Sequence, residues 1–352
     1  MIDTQNIIIN KASVSRISEL DINNIQFGRL YSDHMFMADF DGQSWKNSEI
    51  TPFKNISLSP ANVTLHYGQS VFEGMKAYKY KETDVALFRP LDNFKRLNIS
   101  AERMCLAQLP EDLFMGGIRE LIDLDRAWVP GNDGTSLYIR PFIFATDEYI
   151  GIKPSRNFKF LIITCPAGAY YSKPVRVKIE THYSRAVEGG TGFAKAAGNY
   201  AGALYPAKLA QEEGYDQLIW TDAIHHDTIE ESGTMNVMFL IGDKLVTAPI
   251  GETILNGITR DSVLTLARDW GIEVEERKLK VDELIAAAES GELKEAFGTG
   301  TAATIASICE IGHGSENYRL PESMTLAARL RQTLEGIKIG KIEDKFGWIH
   351  IV

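Results

Sequence analysis

Hydrophobic and polar residues alternate with a period of two through residues 136–146 (SLYIRPFIFAT) and again through 175–181 (VRVKIET), the spacing of strands with one buried face. The run KFLIITCPAGAYY (159–171) is apolar without alternation, which predicts a strand covered on both faces. VALFRP (85–90) and YDQLIWTDA (215–223) read as further strands, and MNVMFLI (235–241), the turn GDK and LVTAP (245–249) as a hairpin. Helical spacing runs through LDNFKRLNISAERMCL (91–106), with apolar residues at Leu91, Phe94, Leu97, Ile99 and Met104 and with Asp92 placed to cap it. ALYPAKLAQEEG (203–214) predicts a helix closed by Gly214. TRDSVLTLARDWG (259–271) predicts another, with Val263, Leu264, Ala267 and Trp270 on one face, Thr259 as N-cap and Gly271 as the stop. Strands and helices are interspersed, so the pattern predicts a mixed α/β (α+β) fold.

The segment from Gly168 to Pro174 is the clearest break, because a fresh strand pattern begins just after it. It divides the chain into a smaller N-terminal α/β domain (1–170), an interdomain linker (171–177) and a larger C-terminal domain (178–352). A length of 352 residues suits two cores, and 44% hydrophobic with 24% charged residues excludes disordered and fibrous classes. With 37 basic against 47 acidic residues the net charge is −10, which disfavours a phosphate backbone or an anionic membrane surface and leaves small molecules as partners. Cys105, Cys165 and Cys309 are too widely separated for a disulfide framework or a zinc site, and read as three buried thiols in a reducing compartment. The first residues lack the basic and apolar regions of a secretory leader, and no stretch reaches the roughly 20 apolar residues of a spanning helix. A cytoplasmic location is therefore expected.

Four short segments carry candidate chemistry, and each alone also suits an ordinary structural role. In GFAKAAGNYAG, Lys195 lies among small residues that leave room for a large group against its amine; burial would favour the neutral, nucleophilic form that makes a Schiff base, and a solvated loop is the plain alternative. In DTIEESGTMN, a carboxylate at a strand edge can face a protonated ring nitrogen, as the electron sink of a pyridoxal cofactor requires; the alternative is a pair of surface glutamates, and Glu230 and Glu231 compete for the role. LNGITRDSVL sets a glycine before a helix N-terminus, where free amides and the dipole suit an anion. FGTGTAAT offers exposed amides and the hydroxyls of Thr299 or Thr301, or simply a tight turn.

Order and distance join these segments. Glu231, Gly233, Asn236, Val237, Leu245, Thr247, Leu255, Gly257, Ile258 and Arg260 fall in the pattern of the class IV pyridoxal-phosphate aminotransferases; one position departs, Met238 standing where an aromatic is expected and Phe239 following it. With LHYGQSVFEGMKAYK (65–79), FRPLDNFKRL (88–97), LYIRPF (137–142) and FAKAAGNYAG (193–202), the sequence resembles the branched-chain amino-acid aminotransferases of the longer subtype, from about residue 20 onward.

The resemblance implies a fold-type IV pyridoxal-phosphate enzyme like the D-amino-acid aminotransferases, two domains with the cofactor held where they meet. Lys195 would bind pyridoxal 5'-phosphate covalently and later shuttle the α proton; Tyr200 would hydrogen-bond the phenolic oxygen, and Glu231 would keep the ring nitrogen protonated. Arg96, the amides of Ile258 and Thr259, and Thr301 would hold the phosphate. The substrate carboxylate would meet Thr234 and Ala302, while Tyr67, Tyr138 and Arg140 line the pocket and serve the second carboxylate of glutamate and 2-oxoglutarate. Phe72, Tyr170 and, from a neighbouring subunit, Ile150 and Ile152 would form its apolar wall, so a homodimer is implied. Ala303 and Ala306 stand where some relatives carry a pair of redox-active cysteines, and no thiol control is expected. The implied reaction is amino-group exchange between leucine, isoleucine or valine and 2-oxoglutarate. The alternatives are a D-amino-acid aminotransferase, an aminodeoxychorismate lyase, or a non-catalytic module binding amino acids or anions.

Overall fold

The computed structural model describes residues 7–81, 83–168 and 173–352, and all counts are of those residues. The chain forms two units: Met1–Tyr170 with Ala194–Gly198 and Glu335–Val352, and Tyr171–Phe193 with Asn199–Leu334. This division differs from a single cut at 171–177: residues 335–352 cluster with the first half of the chain, and a strand already begins at Val175.

The first unit carries β1 (Ile8–Ile9), β2 (His34–Phe40), β3 (Trp45–Pro52), α1 (Val63–Tyr67), β4 (Ser70–Phe72), β5 (Met75–Tyr80), β6 (Asp84–Phe88), α2 (Pro90–Arg103), α3 (Glu111–Leu124), β7 (Ser136–Ala145) and β8 (Phe158–Ala167). The sheet order is β1-β3-β2-β8-β7-β5-β6, with β4 also on β7. Alternation in β7 sends Leu137, Ile139 and Ile143 into a core shared with Leu97 and Ala101 of α2 and Phe114 and Ile118 of α3, which leaves Tyr138 and Arg140 on the opposite face. Pro141 has no N–H to give. It sits where the neighbour of β7 changes from β5 to β4, and its carbonyl instead accepts the amide of Glu73 at 2.7 Å. The unbroken apolar run of β8 is explained by its two faces, with Phe160 and Ile162 in the main core and Leu161 in a second cluster.

The second unit carries β9 (Val175–Ile179), β10 (Gln217–Thr221), β11 (Thr228–Ser232), β12 (Met235–Ile241), β13 (Lys244–Thr247), α5 (Ile258–Asp269), β14 (Glu273–Glu276), β15 (Leu279–Lys280), α6 (Val281–Ser290), β16 (Leu293–Gly300), β17 (Thr304–His313) and β18 (Glu316–Arg319). Strands β12-β16-β17-β9-β10-β11 follow one another, and β11 pairs back with β12, so six strands close into a ring. Ser232 pairs with Met235, leaving a two-residue turn in which Gly233 takes a φ of 55°. Helix α4 (Ala197–Glu212) begins six residues before the expected start, and α7 (Thr325–Lys338) leads to β19 (Ile349–Ile351), which pairs antiparallel with β6. No described helix is long and apolar enough to cross a membrane.

Several local expectations are corrected. Helix α2 starts one residue earlier at Pro90, after a left-handed Arg89, so Asp92 lies in the first turn and accepts from Arg89 Nε at 2.8 Å; Ile99 is exposed. The N-cap of α5 is Gly257, which puts Thr259 inside the helix and buried. Of the three thiols expected to be buried only Cys165 is: Cys105 is exposed, because the chain turns through a positive φ there, just past α2, and Cys309 on β17 is half-buried.

Candidate active site

In the first unit the Lys195 segment docks on two elements. Its backbone carbonyl accepts the Phe72 amide at 3.1 Å, and its own amide donates to Ser100 Oγ at 2.9 Å. Ser100 in turn donates to the Arg96 carbonyl one helical turn back, so Lys195 and Arg96 share one support on α2. The Lys195 ammonium lies 4.8 Å from the centre of the Phe72 ring, a cation–π contact.

Arg96 is buried and grips Glu73 with both arms, Nε to Oε1 at 2.7 Å and Nη2 to Oε2 at 2.9 Å. Burial alone would raise the Glu73 carboxyl. The charge and hydrogen bonds of Arg96, with Lys195 and Asn93, more than offset it and hold Glu73 below its ordinary range. On the outer face of β7, Arg140 Nη2 donates to Tyr138 Oη at 3.0 Å, and the guanidinium packs 4.6 Å from the Phe72 ring centre. A side chain at Gly74 would collide with Tyr138, its Cβ falling 2.2 Å from Oη. Tyr67 is half open to solvent, and Ile150 and Ile152 are 79% and 92% exposed on the loop before β8. Tyr170 lies outside the described residues.

In the second unit Glu231 is 3% exposed on β11 and held at both oxygens. Oε1 accepts from Asn236 Nδ2 at 2.9 Å and from the Leu255 amide at 2.8 Å; Oε2 faces Arg185 Nη2 at 3.0 Å. Asn236 also donates to the Leu255 carbonyl, tying the loop before α5 to the carboxylate. That loop meets α5 at Gly257, where a Cβ would fall 1.9 Å from Asn236 Oδ1, so only glycine fits. Ile258 and Thr259 open α5 behind the N-cap Gly257, at the end of the helix whose dipole favours an anion.

Tyr200, Glu231, Thr234, Arg185, Gly233 and Leu255 line one recess. Thr234 stands exposed at the turn, and Thr301 and Ala302 occupy the turn between β16 and β17. Thr299 Oγ1 and Arg185 Nε are buried without a hydrogen-bond partner, two polar atoms that a bound ligand would satisfy. A carboxylate, a phenol, an uncapped helix start and waiting donors suit the ring and phosphate of pyridoxal phosphate.

Sequence reasoning misses Glu73, Ser100 and Arg185. Glu73 carries a signal, a lone carboxylate between Phe72 and Gly74 in an apolar stretch. Ser100 and Arg185 carry none, since their partners lie 95 and 46 residues away.

Residues 70–311 match the model of the amino-transferase class IV family, and the chain belongs to that family of pyridoxal-phosphate enzymes. Branched-chain-amino-acid aminotransferase 2 of Bacillus subtilis is 44% identical over 334 residues, 93% of this chain and 92% of the relative. The branched-chain-amino-acid aminotransferase of Mycobacterium tuberculosis is 43% identical over 92% of this chain and 91% of its own. The solved branched-chain amino acid aminotransferase of Escherichia coli superposes with a TM-score of 0.76 at 27% identity, covering 90% of this chain and 98% of that one. Within class IV, the chain belongs with the branched-chain-amino-acid aminotransferases.

Proposed function

We propose that this protein exchanges the amino group between L-leucine, L-isoleucine or L-valine and 2-oxoglutarate, giving the branched-chain 2-oxo acids and L-glutamate. The observation that carries the reading is Glu231, a buried carboxylate fixed by three N–H donors beside Tyr200 in the recess. Pyridoxal phosphate, bound on Lys195, supplies the electron sink that makes the substrate α proton removable. Glu231 holds a proton on its ring nitrogen, and Tyr200 orients its phenolic oxygen. Arg96, the first amides of α5 and Thr301 hold its phosphate. Thr234 and Ala302 receive the substrate carboxylate. The Lys195 amine, standing over Phe72, would be the general base for the substrate α proton once substrate has displaced it, and the acid that gives a proton back, general acid–base work by one side chain.

The pairing of Arg140 with Tyr138 supports acceptance of two kinds of side chain. Stacked on Phe72, the guanidinium presents an apolar surface to a branched chain; its Nε, buried and without a partner, is a donor for the distal carboxylate of 2-oxoglutarate. One methylene in such an apolar pocket is worth ~1–3 kcal/mol, so all three branched-chain amino acids react. Two bare isoleucines on the loop at 150–152, clamped at its base by Asp147, support a homodimer in which they wall the pocket of the second copy. A cytoplasmic location accords with this metabolic role.

Turnover of L-leucine with 2-oxoglutarate, set against D-alanine, tests the activity; no turnover of L-leucine overturns it. Purified protein incubated with pyridoxal phosphate should show the visible absorbance of a lysine Schiff base, bleached by borohydride and absent in Lys195→Ala.

A further inference from the structure

Arg185 belongs to no motif, yet three chain segments converge on it. Its side chain is 9% exposed, and its guanidinium reaches Glu231 Oε2 at 3.0 Å while donating to the Thr253 carbonyl. Thr253 is a second link: its hydroxyl donates to Glu230 Oε1 at 2.6 Å. Two consecutive buried carboxylates are thus tied to one guanidinium, Glu231 directly and Glu230 only through Thr253. They are not treated alike. Asn236, Leu255 and Arg185 all offer N–H groups to Glu231, and both of its oxygens are engaged, the hydrogen bonding of an ionised carboxylate. Glu230 receives one hydroxyl, and its Oε2 is buried with no partner. Burial pushes the Glu230 carboxyl above its ordinary range; Thr253 and Arg185 oppose that shift, and the neighbouring charges of Glu231 and Asp222 add to it. One buried cation cannot cheaply hold two adjacent carboxylates in the charged form.

We propose that Arg185 is a positioning residue for amino transfer: by pairing with Glu231 and not Glu230, it selects which of the two carboxylates carries the negative charge to the cofactor's ring nitrogen, and it holds that carboxylate in place. This rests on the reading that Glu231 faces that nitrogen. Gly192 supports the arrangement, since a Cβ there would fall 2.8 Å from the Thr253 carbonyl oxygen that Arg185 uses. Arg185 Nε, buried in the wall of the recess without a partner, adds a positive edge next to Glu231.

The test compares Arg185→Gln, Arg185→Lys, Glu230→Gln and Glu231→Gln, each loaded with pyridoxal phosphate. The readouts are the pH midpoint of the visible absorbance, cofactor affinity by fluorescence titration, and kcat and KM for L-leucine. Removing a positive charge near the ring makes the lysine Schiff base easier to protonate, so Arg185→Gln should move the midpoint to higher pH. It should also lower kcat about ten- to a hundred-fold, with a smaller change in KM, the equivalent of one charged hydrogen bond. Arg185→Lys keeps the charge but not both contacts, and should recover the midpoint while recovering kcat in part. Glu230→Gln should leave the midpoint within error of the parent. If Arg185→Gln does not fold, the lysine variant decides: parental kcat in that variant refutes a positional role. A parental midpoint and kcat in Arg185→Gln, or a Glu230→Gln shift as large as that of Glu231→Gln, also overturns the proposal. Glu231→Gln separates the two readings. If it too matches the parent, the assignment of Glu231 to the ring nitrogen fails first; if it alone shifts, only the role of Arg185 fails.

Discussion

Replacing Lys338 by methionine should stabilise the protein, and by an amount that depends on pH. Lys338 ends α7 with its amine over two rings, 5.0 Å from the centre of Phe88 and 5.6 Å from that of Tyr78. Burial, with the positive charge of Lys76 nearby and only partial compensation from Glu335, pulls its pKa from 10.5 to about 7. In the unfolded chain the amine keeps its ordinary value, so between pH 7 and 10.5 the unfolded state binds more protons and stability rises with pH. Below pH 7 the full cost of burying the ammonium is in force, on the order of 5 kcal/mol, since each pH unit between 7 and 10.5 is worth about 1.36 kcal/mol. At pH 9 it has shrunk to about 2 kcal/mol. Cation–π contact with the two rings returns roughly 1 kcal/mol of this in the parent. Methionine is likewise unbranched and flexible and carries no charge. Urea denaturation of both proteins at pH 6 and pH 9 is the assay. The variant should be the more stable at pH 6, with the gap narrowing by about 3 kcal/mol at pH 9. A gap that does not change with pH, or a variant less stable at pH 6, would refute the reasoning. Lys76, pulled by burial to about 8 with Glu335 opposing, also titrates in this range and adds an upward slope in both proteins, less steep in the variant because the Lys338 charge no longer repels it.

Gly257→Ala forces Asn236 off Glu231 and Leu255, costing about 3 kcal/mol for two buried hydrogen bonds, and should weaken cofactor binding at least ten-fold in a fluorescence titration. Ser100→Ala leaves the Lys195 amide without its acceptor; thermal melts should show a loss of about 1–3 kcal/mol, and kcat should fall more than KM rises. Thr299→Val should raise the melting temperature of cofactor-free protein slightly, because its buried hydroxyl has no protein partner to lose, while lowering cofactor affinity. Arg140→Leu should raise KM for 2-oxoglutarate far more than for L-leucine, measured by varying each substrate in turn.

Periodicity in the sequence is enough to find β7, β8, β9, the β12–β13 hairpin and α5, because each buries a face or a pair of faces that the residue pattern records directly. Gly214 and Gly271 likewise mark helix ends with φ values of 87° and 75°, as expected of stop signals. The start of α4 is hidden: only Pro206 and Ala210 are buried along its 16 residues, so no apolar stripe announces it. Asp92 and Thr259 mislead as caps for a shared reason. Both helices begin without a side-chain cap, one at a proline and the other at a glycine that must stay bare beside Asn236. At the candidate site, the order of motifs carries the family, whereas Arg185, Glu73 and Ser100 acquire meaning only through contacts across the chain.

The pairing of β19 with β6 sets a timetable for synthesis. Residues 349–351 leave the ribosome after every residue of the second unit, which ends at Leu334. Until then the first sheet waits with the edge of β6 open, Ala86, Leu87 and Phe88 offering their backbone groups to any strand that passes. The ring of the second unit, all between Val175 and His313, can close in that interval and withdraw its own strands from competition. Only afterwards does Ile349 meet Phe88 and the Val352 amide reach the Val85 carbonyl at 2.9 Å, so the half of the protein made first is the half finished last.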